Sequence, residues 1–252
     1  MARRHGMRAL LFKNHYTQTA SLAYLVSQVV PEVEAYGGIA LNRAVGGVNP
    51  TAVERMALTT GGRGKVVWMP TFDSEHYHRV FRPNPGFVPI AREGRLATET
   101  LAVLDVIAEH GLALATGHSS PEESLLLIRA AKERGIERII VTHPLPDPVG
   151  MTIEQQKEAA RLGALLEYPF NVTLPPNPDW PGGHIPMAEY LEAIRAVGPE
   201  NVVLSSDLGQ QGNPVHTDGL QVFRKKVLEA GFSEDEVRRM MRTNPARLLG
   251  LP

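Results

Sequence analysis

Leu112-Ala113-Leu114-Ala115-Thr116-Gly117-His118-Ser119-Ser120-Pro121-Glu122-Glu123 holds one complete structural unit. Leu112–Thr116 is a short, nearly continuous apolar run, as expected for a strand covered on both faces. Gly117-His118-Ser119 then breaks the run with a polar group. Ser120 supplies an N-cap, Pro121 suits the first helical position, and Glu123 closes a capping box. Strand, loop and helix in that order make one unit of a parallel α/β fold.

The same unit recurs along the chain. Further strands are expected at Arg8–Lys13, Gly38–Asn42, Lys65–Met69, Arg138–Thr142, Ala164–Phe170 and Asn201–Ser205. Thr152-Ile153-Glu154-Gln155 and Ser233-Glu234-Asp235-Glu236 repeat the capping box, and Asn49-Pro50 and Asn244-Pro245 offer Asn caps followed by proline. No shift in composition marks a boundary, so residues 1–252 are expected to form a single (β/α)8 TIM-like barrel domain. Seven strands are visible where a closed barrel has eight. The opening Ala2-Arg3-Arg4-His5-Gly6 reads as the end of a helix, which suggests that the first strand and most of its helix are missing. An open barrel and a doubly wound sheet both fit seven strands as well. The longest irregular stretches, Pro70–Ile90 and Asn171–Ile185, each follow a strand and are expected to be loops over the reactive face.

Composition removes several classes of function. The net charge of −1 and the absence of any long basic run argue against nucleic acid and anionic membrane surfaces as partners. With no cysteine, neither disulfides nor thiolate chemistry is available, so a metal would need His, Asp, Glu or a modified Lys. No apolar run approaches a membrane span. A cytoplasmic protein acting on a small-molecule substrate is the expectation, and a homo-oligomer is compatible with it.

Polar groups stand where the strands stop: Lys13-Asn14-His15, Gly117-His118-Ser119, Thr142-His143-Pro144 and Ser206-Asp207-Leu208. In a parallel barrel these ends meet at one mouth. Imidazoles and a carboxylate meeting there suit Zn²⁺ or a similar divalent ion, with a carboxylate to accept the proton of an activated water. Each residue alone has an ordinary reading: a strand-end histidine is often a hydrogen-bonded core residue, and Asp207 could be a helix N-cap. Lys13 and Arg43 are candidates for holding an anion, and Lys13 could also be a Schiff-base nucleophile. His15 and Asn42 are candidate substrate contacts. His76-Tyr77-His78 is read as part of a loop, with substrate contact by His76 favoured over metal ligation. Gly61-Gly62-Arg63-Gly64-Lys65 fails as a phosphate loop in its spacing. Gly37-Gly38 and Gly46-Gly47 read as turns on both sides of a strand.

Gly117-His118, Thr142-His143-Pro144, Ser205-Ser206-Asp207 and the closing Thr243-Asn244-Pro245-Ala246-Arg247-Leu248-Leu249-Gly250-Leu251 resemble the amidohydrolase superfamily over most of the chain. Leu11-Phe12-Lys13-Asn14-His15-Tyr16, Gly37–Gly47 and Val67-Trp68-Met69-Pro70-Thr71 resemble a branch of it with no assigned substrate. The resemblance implies a metal-dependent hydrolase acting on amide, ester or phosphoester centres, with some members decarboxylating. By it, His118 and His143 match metal ligands of the fifth and sixth strands. Asp207 matches the eighth-strand carboxylate, which binds metal and shuttles a proton. Two departures stand out. The His-x-His pair of the superfamily's first strand would lie before residue 1, and Lys65 sits at the wrong end of its strand to bridge two metals. The resemblance therefore implies a one-metal centre, zinc first among the ions. A non-metal lyase using Lys13 and a barrel kept only for binding are the alternatives.

Overall fold

Val66 and Val67 are neighbours in sequence but face opposite sides of one sheet. Val66 belongs to an inner cluster with Tyr36, Ala40, Trp68, Ala113, Ala115, Ile140, Leu165 and Val203. Val67 belongs to the outer layer with Ile39, Leu114, Val141, Leu166 and Leu204, which packs against the helices. Successive side chains of a strand point to opposite faces, so one apolar run feeds two cores. Leu248 and Leu249 join the inner cluster, which is a packed interior and not a pore.

The computed structural model describes residues 1–81, 86–175 and 184–252. Seven strands run parallel: β1 (Ala9–Leu11), β2 (Glu34–Ala40), β3 (Gly64–Trp68), β4 (Ala113–Ala115), β5 (Ile139–Val141), β6 (Leu165–Pro169) and β7 (Val202–Ser205). Each pairs with the next in sequence. That order decides against the doubly wound sheet, whose strand order must reverse at a switch point. The curled sheet is the seven-stranded α/β barrel type expected from the sequence. Among the described residues no hydrogen-bonded pairing joins β1 to β7. β1 is accordingly half-buried along its length, while β2 to β7 are mostly buried.

Ten helices are described, α1 (Ala20–Val29), α2 (Pro50–Ala57), α3 (Glu75–Phe81), α4 (Thr98–Glu109), α5 (Pro121–Glu133), α6 (Ile153–Arg161), α7 (Met187–Val197), α8 (His216–Glu229), α9 (Glu234–Arg238) and α10 (Asn244–Leu249). The capping boxes at Ser120, Thr152 and Ser233 form with both reciprocal hydrogen bonds, and Asn49 caps α2 through Ala52 N. Among the described residues no helix is long and apolar enough to cross a membrane.

Three local expectations are corrected. Asn244 caps nothing. A π-helical turn, Arg239–Thr243, runs straight into α10, and the buried Asn244 amide donates to the carbonyls of Pro199, Glu200 and Val202. Its role is to tie the last helix to the start of β7. Gly37 and Gly38 lie inside β2, not in a turn. A Cβ on Gly37 would stand 2.4 Å from the Thr19 backbone, and one on Gly38 2.1 Å from Val66 O, so close backbone approach is what requires glycine there. Finally, His76-Tyr77-His78 lies in α3 and not in a loop. Ser74 starts that helix by accepting from Tyr77 N through its hydroxyl and from His78 N through its carbonyl. Residues 82–85 of the expected Pro70–Ile90 loop lie outside the described residues.

Candidate functional site

The strand ends at the C-terminal mouth are locked to one another before any functional side chain is considered. Thr142 N donates to Thr116 Oγ1 and Gly117 N to Thr142 Oγ1, which fixes β4 against β5. His118 N donates to Pro70 O, and Ser74 Oγ donates to His118 O, which pins the loop after β4 to the loop after β3. His118 and His143 are thus presented side by side, with ring centroids 5.7 Å apart, and both are buried.

His143 faces two carboxylates. Its Nε2 stands 3.5 Å from Asp207 Oδ2 and 3.7 Å from Glu167 Oε2. Asn171 Nδ2 donates to Asp207 Oδ2, and Ser205 Oγ donates to Glu167 Oε1. Lys13 Nζ lies 3.8 Å from Asp207 Oδ1. His143 and Asp207 also have left-handed backbones, φ 44 and 45. Among the described residues the third such non-glycine residue, Glu93, is in the turn of the two-residue hairpin strands Ala91–Arg92 and Arg95–Leu96. Left-handed φ is strained for most side chains and gathers at functional sites, so finding it at both residues marks the mouth independently of their chemistry.

A second network holds His15. Its Nδ1 and Thr71 Oγ1 are hydrogen-bonded at 2.8 Å. Asn42 Nδ2 donates to Thr71 Oγ1 and to His15 O, while Asn42 Oδ1 accepts from Thr71 N and Asp73 N. The buried Asn42 amide is therefore spent on positioning His15 and the loop after β3. The Phe72 ring lies against His15 at 4.1 Å, and Tyr77 stacks on His118 at 5.6 Å. Phe72 and Tyr77 form an aromatic wall beside the imidazoles. The remaining candidates are engaged elsewhere. Arg43 is exposed and donates from Nη1 to Gly86 O, and His76 Nε2 donates to Pro148 O.

The electrostatics follow from burial. Burial, then the Lys13 charge, pulls His15 down to about 3. Burial holds His118 well below the ordinary histidine value, assisted by His143 and Lys13. Burial also lowers His143, although Asp207 and Glu167 pull it back up. For Asp207, burial raises the pKa, but Lys13, His143, His15 and the Asn171 hydrogen bond together outweigh it and leave the carboxyl lowered. Neutral imidazoles and an ionised carboxylate are the forms that ligate a metal.

That sets a pH dependence. The unfolded chain protonates its histidines near pH 6.5, whereas these three stay neutral in the folded state to lower pH. Stability is then fully present above about pH 6.5 and falls as pH drops below it, for His15 until about pH 3. The slope is about 1.4 kcal/mol per pH unit for each such histidine. The urea midpoint of chelator-treated protein should therefore fall steadily from pH 7 to pH 5. A constant midpoint would mean that these imidazoles protonate freely in the folded protein.

The donors fit one divalent ion as a partial set. Zn–N bonds of about 2.0–2.1 Å in a tetrahedron put two donors roughly 3.4 Å apart, close to the His143–Asp207 separation. The match ends with that pair: among the described residues no group of three His, Asp or Glu stands together closely enough to hold an ion. Sequence reasoning missed Glu167, whose signal was a lone carboxylate inside the apolar run of β6 on the same face as Leu165. It also missed Asn171, Thr71 and Trp68, ordinary residues in sequence that matter only through what they touch.

The model of a family of unknown function, DUF6282, matches residues 1–167 of the 252. The chain belongs to DUF6282. No curated protein matches the DUF6282 chain. Among solved structures it is similar to the organophosphorus hydrolase from Deinococcus radiodurans, at 15% identity and a TM-score of 0.61, over 99% of this chain and 80% of that one. A mutant PTE-like lactonase from the same organism is similar at 14% identity and a TM-score of 0.63, over 99% and 83% of the two chains. At such identities the DUF6282 chain shares their barrel fold, with its sequence free to differ in the site.

Proposed function

We propose that the DUF6282 chain is a metal-dependent hydrolase of the amidohydrolase type, cleaving an amide, ester or related bond of a small molecule. One observation carries the reading: His143 Nε2 and Asp207 Oδ2 lie 3.5 Å apart, the spacing of two donors to one ion, on two left-handed backbones at one barrel mouth. The similarity to an organophosphorus hydrolase and a lactonase supports it at the level of fold. His143 and Asp207 would be two ligands of the ion and His118, whose ring centroid lies 5.7 Å from that of His143, would have to move in as the third, with zinc the best match to imidazole and carboxylate donors. A divalent ion there would polarise the scissile centre and lower the pKa of a water toward ~7. Asp207 would accept the proton of the attacking water, with Asn171 holding its Oδ2 in place. Phe72 and Tyr77 would keep bulk water from the imidazoles.

Elemental analysis tests the reading. About one divalent ion per chain is expected, lost in the His118→Ala, His143→Ala double variant while its circular dichroism stays native. One ion per chain retained by the double variant would overturn the assignment. A second reading, a barrel that binds without turnover, is favoured by the lack of three converged donors among the described residues. Metal-free protein that still binds small molecules would support it.

A further inference from the structure

Lys13 lies two residues beyond β1 and reaches across to Asp207, two residues beyond β7, where its ammonium stands 3.8 Å from Asp207 Oδ1. Among the described residues no strand pairing closes the sheet at this point, so the side chain itself spans the opening. Lys13 is 15% exposed and lies 5.8 Å from the centre of the Trp68 ring. Among the described residues it donates no hydrogen bond, since 3.8 Å is charge attraction alone. An ammonium has three donors to satisfy, and its partial exposure leaves them open to solvent or a ligand. Its charge also reaches His15, His118 and His143, lowering the pKa of each.

Charge balance gives the direction. One ammonium against the carboxylates of Asp207 and Glu167 leaves a net negative charge in the mouth. A divalent ion would make the mouth net positive and take Asp207 from Lys13. We propose that the substrate carries an anionic group of the carboxylate class, and that Lys13 receives this group when Asp207 holds a divalent ion. The inference rests on the metal-dependent reading above. It implies that ion and carboxylate each strengthen the binding of the other, because such coupling is reciprocal. It also implies that Lys13 without an anion opposes the ion.

The test is calorimetric titration of the chelator-treated full chain with Co²⁺, alone, with butyrate, and with butyramide as an uncharged analogue. Butyrate should tighten Co²⁺ binding on the order of tenfold, and butyramide should do nothing. Lys13→Met should bind Co²⁺ on the order of tenfold tighter than the unaltered chain and gain nothing from butyrate. An equal butyrate gain in Lys13→Met, or no difference between butyrate and butyramide in the unaltered chain, would overturn the role of Lys13. The second comparison needs no variant to fold. Absence of Co²⁺ binding in both chains under every condition would instead overturn the metal reading, and this inference with it.

Discussion

Asp207→Asn is expected to lower hydrolytic turnover by about 10²–10⁴-fold, and to weaken divalent-ion binding, while leaving the fold intact. The substitution removes charge and keeps shape. Asparagine tolerates left-handed backbone better than most residues, so φ 45 at this position adds little strain. The Asp207 carboxyl is only partly exposed, at 17%, and desolvation alone would raise its pKa; Lys13, His143, His15 and Asn171 keep it charged. Removing the charge forfeits attraction to Lys13 but also relieves the cost of a buried carboxylate, so the two stability terms largely cancel. The checks are thermal melting, Co²⁺ titration and turnover across an ester and lactone panel. A variant with unchanged melting, ion binding and turnover would remove Asp207 from the reaction centre. A variant that unfolds would show that its ion pairs are structural.

Gly117→Ala is expected to destabilise the fold by about 3–5 kcal/mol, a large part of the stability of an ordinary domain. Two effects add. Gly117 has φ 64, where an L side chain is strained, and its Cβ would stand 2.2 Å from Met69 O and 2.5 Å from Pro70 O. Both neighbours are backbone, so neither can turn away. Gly135 after α5 separates the two effects, because it has φ 73 and no atom within 4 Å of the place a Cβ would take. Gly135→Ala should therefore cost only about 1 kcal/mol. Urea denaturation of both variants decides the matter, and equal costs would mean that the loop after β4 yields readily. Because His118 N bonds to Pro70 O in the same loop, loss of Gly117 should also disturb the imidazole beside it.

The strands and most helix starts were legible because they rest on local physics. Continuous apolar runs bounded by polar residues need no knowledge of neighbours, and Ser120, Thr152 and Ser233 form capping boxes within four residues. Asn244-Pro245 carried the same local signal and misled, because the Asn244 amide finds three carbonyls around the start of β7. His76 and His78 were misread for a related reason: Ser74 sets up α3, and its hydroxyl also serves His118 O from another strand end.

By itself, the sequence determined the parallel α/β class, the seven strands, and the candidates His118, His143 and Asp207 at strand ends. Those features follow from periodicity and caps, which act over a few residues. Only the tertiary structure decided that β1 and β7 approach without pairing, with Lys13 spanning the opening to Asp207. It alone brought Glu167 to His143 and gave the Asn42 amide to His15 and Thr71. Distances of a few ångströms between residues far apart in the chain arise from the curl of the sheet and the packing of its interior, and no local pattern encodes them.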